Sequence, residues 1–310
     1  MIREFTLKRL IFVCRGLAQS GSAPALGAGC RGFKSLHPDQ KLMTYLQNKT
    51  ALVTGSSSGI GFEIVKYLSK FDMQIIITAR REDKLLKLKE EVETNSNSKV
   101  IVLVKDLAKS ESPQEIYDFC QNNNYKIDFL VNNAGYGFTE DFDSYDLDKL
   151  DDFLNVLLNS LVKLTRLFIK DMKERKSGKI LQVSSIAGII PSGNGAIGIY
   201  GNIKNFVNEF TITLNSTYKK YNVHVCALCP GFTETGFNER AGFNMQYSDV
   251  PSLFLMSAKQ VAEQGVNACL KGKEIYVVRG GFNKTMIFIS KFIPNKILRF
   301  LFGSLVNFGK

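Results

Sequence analysis

Tyr200 and Lys204 stand four residues apart in Tyr200-Gly201-Asn202-Ile203-Lys204. Residues four apart share one face of a helix, so the Lys204 ammonium can lie near the Tyr200 phenol. It would favour the ionised form there and draw a pKa of about 10 towards neutrality. A phenol tuned in this way can trade a proton with an alcohol or carbonyl oxygen. Upstream, Ser184 and Ser185 close a strand-like run, where a hydroxyl facing the crevice can donate a hydrogen bond to the same oxygen.

A second constellation lies earlier, in Thr54-Gly55-Ser56-Ser57-Ser58-Gly59-Ile60-Gly61. It follows the aliphatic run 50–53 and precedes a helix-patterned stretch, which reads as strand, glycine turn and helix. Gly55 permits the tight turn, Gly59 the close approach of a bulky group, and Gly61 the packing of helix on strand. The free N–H groups at the helix start then face a phosphate, and a dinucleotide pyrophosphate fits. The same residues spell G-x-S-x-G through Gly55, Ser57 and Gly59, the nucleophile elbow of serine hydrolases. That chemistry needs an imidazole, and the chain has only His37, in a segment without fold signals, and His224, inside a strand-like run.

One strand–helix step later comes Thr78-Ala79-Arg80-Arg81. An acid here would bind ribose hydroxyls, whereas Arg80, with Arg81 beside it, offers a fork for a 2′-phosphate. NADP is therefore expected over NAD. Asp106-Leu107 can bound the adenine, and Asn132-Asn133-Ala134-Gly135 ends a fourth strand at the edge where open α/β sheets bind ligands.

The elements that must position these residues alternate along the chain. Strands are expected at 51–54, 74–78, 100–104, 127–131, 180–183, 223–228 and 275–278. Helices are expected at 59–71, 82–93, 112–121, 148–174, 199–220 and 258–271. Such alternation predicts an α/β fold: a doubly wound parallel β-sheet with helices on both faces, Rossmann-like, in three α-β-α layers. A chain of 310 residues with 45% hydrophobic content can bury one such core. The expected boundaries are an N-terminal targeting or disordered extension at 1–38, the α/β domain at 48–280, and an apolar helical extension at 281–310.

Together and in order, residues 54–61, Asn132 to Gly135, Ser185, Tyr200 with Lys204, and Pro230-Gly231-Phe232-Thr233-Glu234-Thr235 resemble the short-chain dehydrogenase/reductase family over about residues 48 to 280. The resemblance implies that Tyr200 is the catalytic acid/base, that Lys204 holds the nicotinamide ribose and tunes Tyr200, and that Ser185 orients the substrate oxygen. Ser185 is preferred to Ser184 because Gly188 follows it by three, as in the family pattern. The cofactor would meet Gly55, Ser57, Ser58, Gly59, Ile60, Gly61, Arg80, Arg81, Asp106, Asn133, Ala134, Gly135, Tyr200 and Lys204. Pro230, Gly231, Thr233 and Thr235 would border the nicotinamide. Two departures stand out. The family's relay asparagine, eight residues before a Thr, is Leu157 when counted back from Thr165, with Asn155 and Asn159 about 200° away on a regular helix. The Ser185–Tyr200 interval is also about two residues long, with the insertion within 191–195. The relay departure keeps a rival open: a catalytically weak nucleotide-binding scaffold.

Residues Phe237, Phe243, Met245, Tyr247, Leu253, Phe254, Leu255 and Met256 suit a cover for a lipophilic carbonyl, oxoacyl or steroid-like, and equally suit core packing. Part of the formal charge of +11 is local. Arg3, Lys8, Arg9, Arg15, Arg31 and Lys34 face the single acid Glu4 in residues 1–38, a composition that resembles an organelle presequence, with the mitochondrial matrix expected and the cytoplasm or endoplasmic reticulum membrane as alternatives. No basic stripe interleaved with aromatics favours nucleic acid. Six scattered cysteines and two histidines supply no metal-site spacing, and the thiols fit an intracellular chain. Cys226 and Cys229, on opposite faces of a strand, read as buried small hydrophobes. The apolar run 285–308, broken by Pro294, suits peripheral membrane contact or packing in a homo-oligomer, dimer or tetramer, better than a span.

Overall fold

In the computed structural model of the chain the described residues are 44–137, 142–190, 197–237 and 255–278, with 287, 290, 292 and 293. The presequence-like segment, the inserted loop 191–195, most of the expected cover and most of the C-terminal extension lie outside them.

Seven parallel strands form the central sheet: β1 (Thr50–Thr54), β2 (Gln74–Ala79), β3 (Lys99–Val104), β4 (Ile127–Asn132), β5 (Gly178–Val183), β6 (Val223–Cys229) and, beyond two short strands, β9 (Ile275–Val277). The short strands β7 (Thr233–Glu234) and β8 (Met256–Ser257) pair with each other. Every residue of β1 and of β4 is buried, as continuous apolar runs covered on both faces require. The spatial order is β3-β2-β1-β4-β5-β6-β9. The winding therefore reverses between β1 and β4, which opens a crevice at their carboxyl ends.

Among the described residues seven helices cover the sheet: α1 (Gly59–Leu68), α2 (Glu82–Asn95), α3 (Ser112–Asn122), α4 (Leu147–Leu154), α5 (Ser160–Glu174), α6 (Ile197–Tyr218) and α7 (Ala258–Leu270). On one face Ile64, Val65, Leu85, Leu88, Val261 and Val266, from α1, α2 and α7, pack onto alternate strand residues such as Val53, Ile75 and Leu181. On the other, Ile116, Leu164, Phe168 and Met172, from α3 and α5, meet Leu52, Ile76, Leu130 and Ile180. The strand period of two thus assigns each side chain to a layer.

The long helix expected at 148–174 is not continuous. A π turn, Asn155–Asn159, separates α4 from α5, and the Ser160 N–H reaches back five residues to the Asn155 carbonyl. The Val156 carbonyl, bypassed by that longer bond, accepts the Ser160 hydroxyl at 2.8 Å instead. The helix expected at 59–71 stops at Leu68, and a short 3₁₀ turn ends on Asp72 in the left-handed region.

Candidate active site

The catalytic candidates are held by main-chain anchors that the spacing of Tyr200 and Lys204 does not reveal. Lys204, only 5% exposed, donates its Nζ proton to the Val183 carbonyl at 2.8 Å, where β5 ends. The next residue, Ser184, donates its hydroxyl to the Lys204 carbonyl at 3.0 Å. Asn205 and Asn208 both donate to the Gly188 carbonyl, at 2.9 and 3.1 Å, so the turn after Ser185 is clamped onto α6. Gly188 lies so close to the Lys204 carbonyl group and the Asn205 nitrogen that a Cβ would clash with them. With Ser184 turned towards the helix, Ser185 is left beside Tyr200: its Oγ accepts the Ala187 N–H at 3.1 Å, and its side chain is near enough to act on the phenol.

The electrostatics differ from the sequence expectation. Burial pushes the Tyr200 phenol up to about 12, against the lowering effect of the Ser185 side chain. Burial also brings the Lys204 ammonium down to about 8. Nζ lies over the Tyr200 ring, 5.5 Å from its centroid, so the sharing of a helix face places the pair together without making Lys204 the group that sets the phenol. Tyr200 is thus a neutral phenol at pH 7. Its ring also meets Phe237, a residue of the expected cover, at 5.7 Å between centroids.

The glycine turn sits at the carboxyl end of β1. Gly55 and Gly59 adopt φ of +65° and +62°, a region open to glycine. The expected roles shift in detail. A Cβ on Gly55 would come within 2.7 Å of the Ala134 Cα, and one on Gly59 within 3.0 Å of the Thr235 Cβ. A Cβ on Gly61 would strike the Asn133 amide and the Gly55 carbonyl. Asn133 is a strut, donating to the carbonyls of Thr54 and Gly55 at 2.9 and 3.1 Å, while the N–H groups of Asn133 and Ala134 share the Thr54 hydroxyl. Helix α1 begins at Gly59 with no side-chain cap and no acid in its first turn, so its N–H groups and positive dipole end suit an anion. Ile60 packs against the core below the turn.

At the end of β2 it is Arg81, more than Arg80, that faces the turn. Arg81 Nη2 donates to Ser57 Oγ at 2.9 Å and Ser58 Oγ at 3.0 Å. Arg80 is exposed, and its charge acts on Tyr136 together with Asp106 and Asp152. Asp106 accepts the Ala108 N–H at 3.1 Å, which shapes the loop expected to bound an adenine. Past β6, Pro230 accepts the Ile186 N–H at 3.0 Å, and Gly231 accepts the hydroxyl of buried Thr233 at 2.9 Å. Thr233 is thereby directed into its own loop, whereas Thr235 stands against Gly59. Gly135 is exposed and rests over Leu157.

Leu157 is 1% exposed and packs with Phe153, Ile203 and the Tyr200 ring. Neither flanking asparagine replaces a relay amide. The Asn155 amide donates to the Ala108 carbonyl at 3.0 Å and accepts from Asn159 at 2.8 Å. Below lies a buried triad that sequence reasoning missed, in which the Asn132 and Gln182 amides both donate to the Thr165 hydroxyl and Asn132 also donates to Gln182.

The hydrolase alternative fails on position. His224 is the second residue of β6, at the opposite end of the sheet from Ser57, and His37 is outside the described residues. Cys226 and Cys229 are both fully buried: Cys226 joins the core under α7, and Cys229 donates to Asn208 on α6 at 3.3 Å, so they do face opposite sides. No cluster of metal-binding residues occurs among the described residues.

Comparison with known proteins bears on this arrangement. The family model for short chain dehydrogenase matches residues 49–245. A very-long-chain 3-oxoacyl-CoA reductase of Rattus norvegicus is 30% identical over 266 residues, covering 80% of this chain and 82% of that protein. A short-chain dehydrogenase from Sphingobium yanoikuyae, solved in complex with NADPH, superposes with a TM-score of 0.70 at 20% identity over 78% of this chain and 92% of that one. The L-sorbose reductase from Gluconobacter frateurii, solved with NADPH and L-sorbose, gives 0.67 at 25% identity over 77% and 97%. With the reversal-point crevice, the glycine turn and the serine–tyrosine–lysine group all on one sheet edge, the chain belongs to the short-chain dehydrogenase/reductase family and is an oxidoreductase of carbonyl and CH–OH groups.

Proposed function

We propose that the protein reduces a lipophilic ketone, a long-chain 3-oxoacyl thioester in the first instance, to the alcohol with NADPH. The observation that carries this reading is the placement of Tyr200, a phenol that burial keeps protonated at neutral pH, against Lys204, whose Nζ is held by the Val183 carbonyl and lies 5.5 Å from the ring centroid. When bound, the reduced nicotinamide supplies a hydride to the carbonyl carbon. Tyr200 Oη donates the proton to the carbonyl oxygen, and Ser185 Oγ orients that oxygen. Lys204, held by the Val183 carbonyl over the Tyr200 ring, offsets the charge that develops on the phenol.

Binding of the adenosine half falls to this chain's own groups. The uncapped start of α1 would take the pyrophosphate, Ser57, Ser58 and Arg81 the 2′-phosphate, and the loop at Asp106 the adenine. Support for the oxoacyl class comes from the relative named a very-long-chain 3-oxoacyl-CoA reductase and from the apolar wall of Phe153, Leu157, Ile203 and Phe237 about Tyr200. Tyr200→Phe tests the role directly: it keeps the ring, so cofactor affinity holds while turnover of a 3-oxoacyl-CoA panel falls at least ~100-fold. A variant that retains most activity overturns it.

Leu157 favours a second reading, a nucleotide-binding scaffold that turns over poorly. NADPH binding with no hydride transfer across a panel of oxoacyl and steroid ketones selects it. Among the described residues no helix is long and apolar enough to cross a membrane. We place the protein in the mitochondrial matrix on the basic, acid-poor residues 1–38, and a reporter fused to them that stays diffuse and uncleaved refutes this. On α6 the exposed Phe206 ring, stacked on half-buried Phe210 at 5.5 Å, supports a homo-oligomer, which sedimentation checks.

A further inference from the structure

The π turn joins two parts of the site that the sheet keeps apart. On one side Asn155 holds the Ala108 carbonyl at 3.0 Å, and the Ala108 N–H in turn binds the Asp106 carboxylate at 3.1 Å. Lys163, on α5, holds the next stretch of the same loop through the Ser110 carbonyl at 2.9 Å. On the other side, two residues along, Leu157 is wedged against Ile203 and the Tyr200 ring on α6. The segment between them is fixed internally: the Asn155 carbonyl takes the Ser160 N–H, the Asn155 side-chain oxygen takes the Asn159 amide, and the Val156 carbonyl takes the Ser160 hydroxyl. Asn155 therefore uses its amide, its side-chain oxygen and its main-chain carbonyl at once.

A π turn has an alternative nearby, since shifting the Ser160 N–H from Asn155 to Val156 restores a regular helix and rotates Leu157 relative to α6. An element with two discrete arrangements, touched by both sites, is what physical coupling requires. We propose that Asn155 is a positioning residue that couples the adenine-side loop at 105–109 to the Tyr200 helix, so that filling the adenosine subsite sets the π turn and steadies the phenol. The inference rests on the reading that the crevice takes a nicotinamide dinucleotide. It goes beyond that reading by giving the adenosine half a role in ordering the proton donor.

The experiment uses 2′,5′-ADP, the adenosine fragment alone, with amide hydrogen exchange of the full chain. In the wild type, 2′,5′-ADP slows exchange at 55–61, at 155–160 and at 200–204. Asn155→Asp keeps the shape of the side chain and its oxygen for Asn159 while removing the donor to Ala108. In it the slowing at 55–61 persists and that at 200–204 is lost. Kinetically, 2′,5′-ADP raises turnover with reduced nicotinamide mononucleotide by about 10-fold in the wild type and not in Asn155→Asp, the size expected of a typical coupling free energy. Protection of 55–61 without protection of 200–204 in the wild type overturns the coupling, and does so even if the variant fails to fold. Undiminished protection of 200–204 in Asn155→Asp also overturns it. No protection at 55–61 at all overturns the cofactor reading itself.

Discussion

The Ser184 hydroxyl and the Lys204 carbonyl, 3.0 Å apart, tie the end of β5 to the helix that carries Tyr200. Ser184→Ala frees a buried carbonyl, at a cost of about 1–3 kcal/mol in stability. It should lower turnover about 10-fold by loosening the alignment, with cofactor affinity unchanged. Ser185→Ala, which removes the group facing Tyr200, should lower turnover at least ~100-fold. Denaturant titration and steady-state kinetics on both variants check the contrast, and a larger catalytic loss in Ser184→Ala would reverse the assignment.

Coenzyme preference should depend on Arg81 first. Its guanidinium is poised at Ser57 and Ser58, and a charge-assisted bond of about 1.5–3 kcal/mol corresponds to a loss of roughly 10- to 150-fold in NADPH affinity for Arg81→Ala. NADH affinity should change less than about threefold, because it lacks the 2′-phosphate. Arg80→Ala should have the smaller effect. Fluorescence titration of both coenzymes decides, and equal affinities in the wild type would remove the basis for NADP.

Lys204 predicts a pH dependence. Its folded pKa of about 8 lies below the usual 10.5, so between those values the unfolded chain binds more protons. Stability contributed through this group therefore rises with pH from about 8 to about 10.5, and the strain of the buried ammonium is greatest below 8. Lys204→Met should be more stable than the wild type at pH 7, by up to about 3 kcal/mol, with the gap closing by pH 10. Carbonyl reduction by the wild type, on the proposed reading, should fall above pH 8 as the ammonium is lost. Urea melts at pH 7 and 10, with a pH–rate profile, measure both.

Leu157→Asn places an amide in an apolar pocket, so it should cost about 1–3 kcal/mol of stability. If proton return through the Lys204 side limits the rate, turnover should nonetheless rise by about 2- to 10-fold at unchanged cofactor affinity. The fate of Asn155 and Asn159, bound to Ala108 and to each other, leaves no other amide of this turn for the task. Unchanged or lower turnover in a folded Leu157→Asn chain would show that proton return does not pass this point.

The alternation of apolar strands with amphipathic helices, the glycine turn, and Tyr200 four residues before Lys204 determined the layer order, the crevice and the principal groups. Each of these is local or periodic, and a helix or strand period carries it without knowledge of distant partners. Tertiary structure alone decided the rest, because each remaining feature depends on which carbonyl or hydroxyl lies opposite. Ser184 turns to Lys204, Arg81 reaches Ser57 and Ser58, and Asn205 and Asn208 clamp Gly188 across long sequence separations. The π turn is the clearest case. The stretch 148–174 reads as unbroken helix, yet Ser160 and Asn155 shift one hydrogen bond by a residue, and the Ala108 carbonyl on another loop holds Asn155 in place. The phenol's pKa shows the same division. The helical spacing put the ammonium beside Tyr200, but desolvation, a property of everything packed around the ring, outweighed that proximity and kept the proton on.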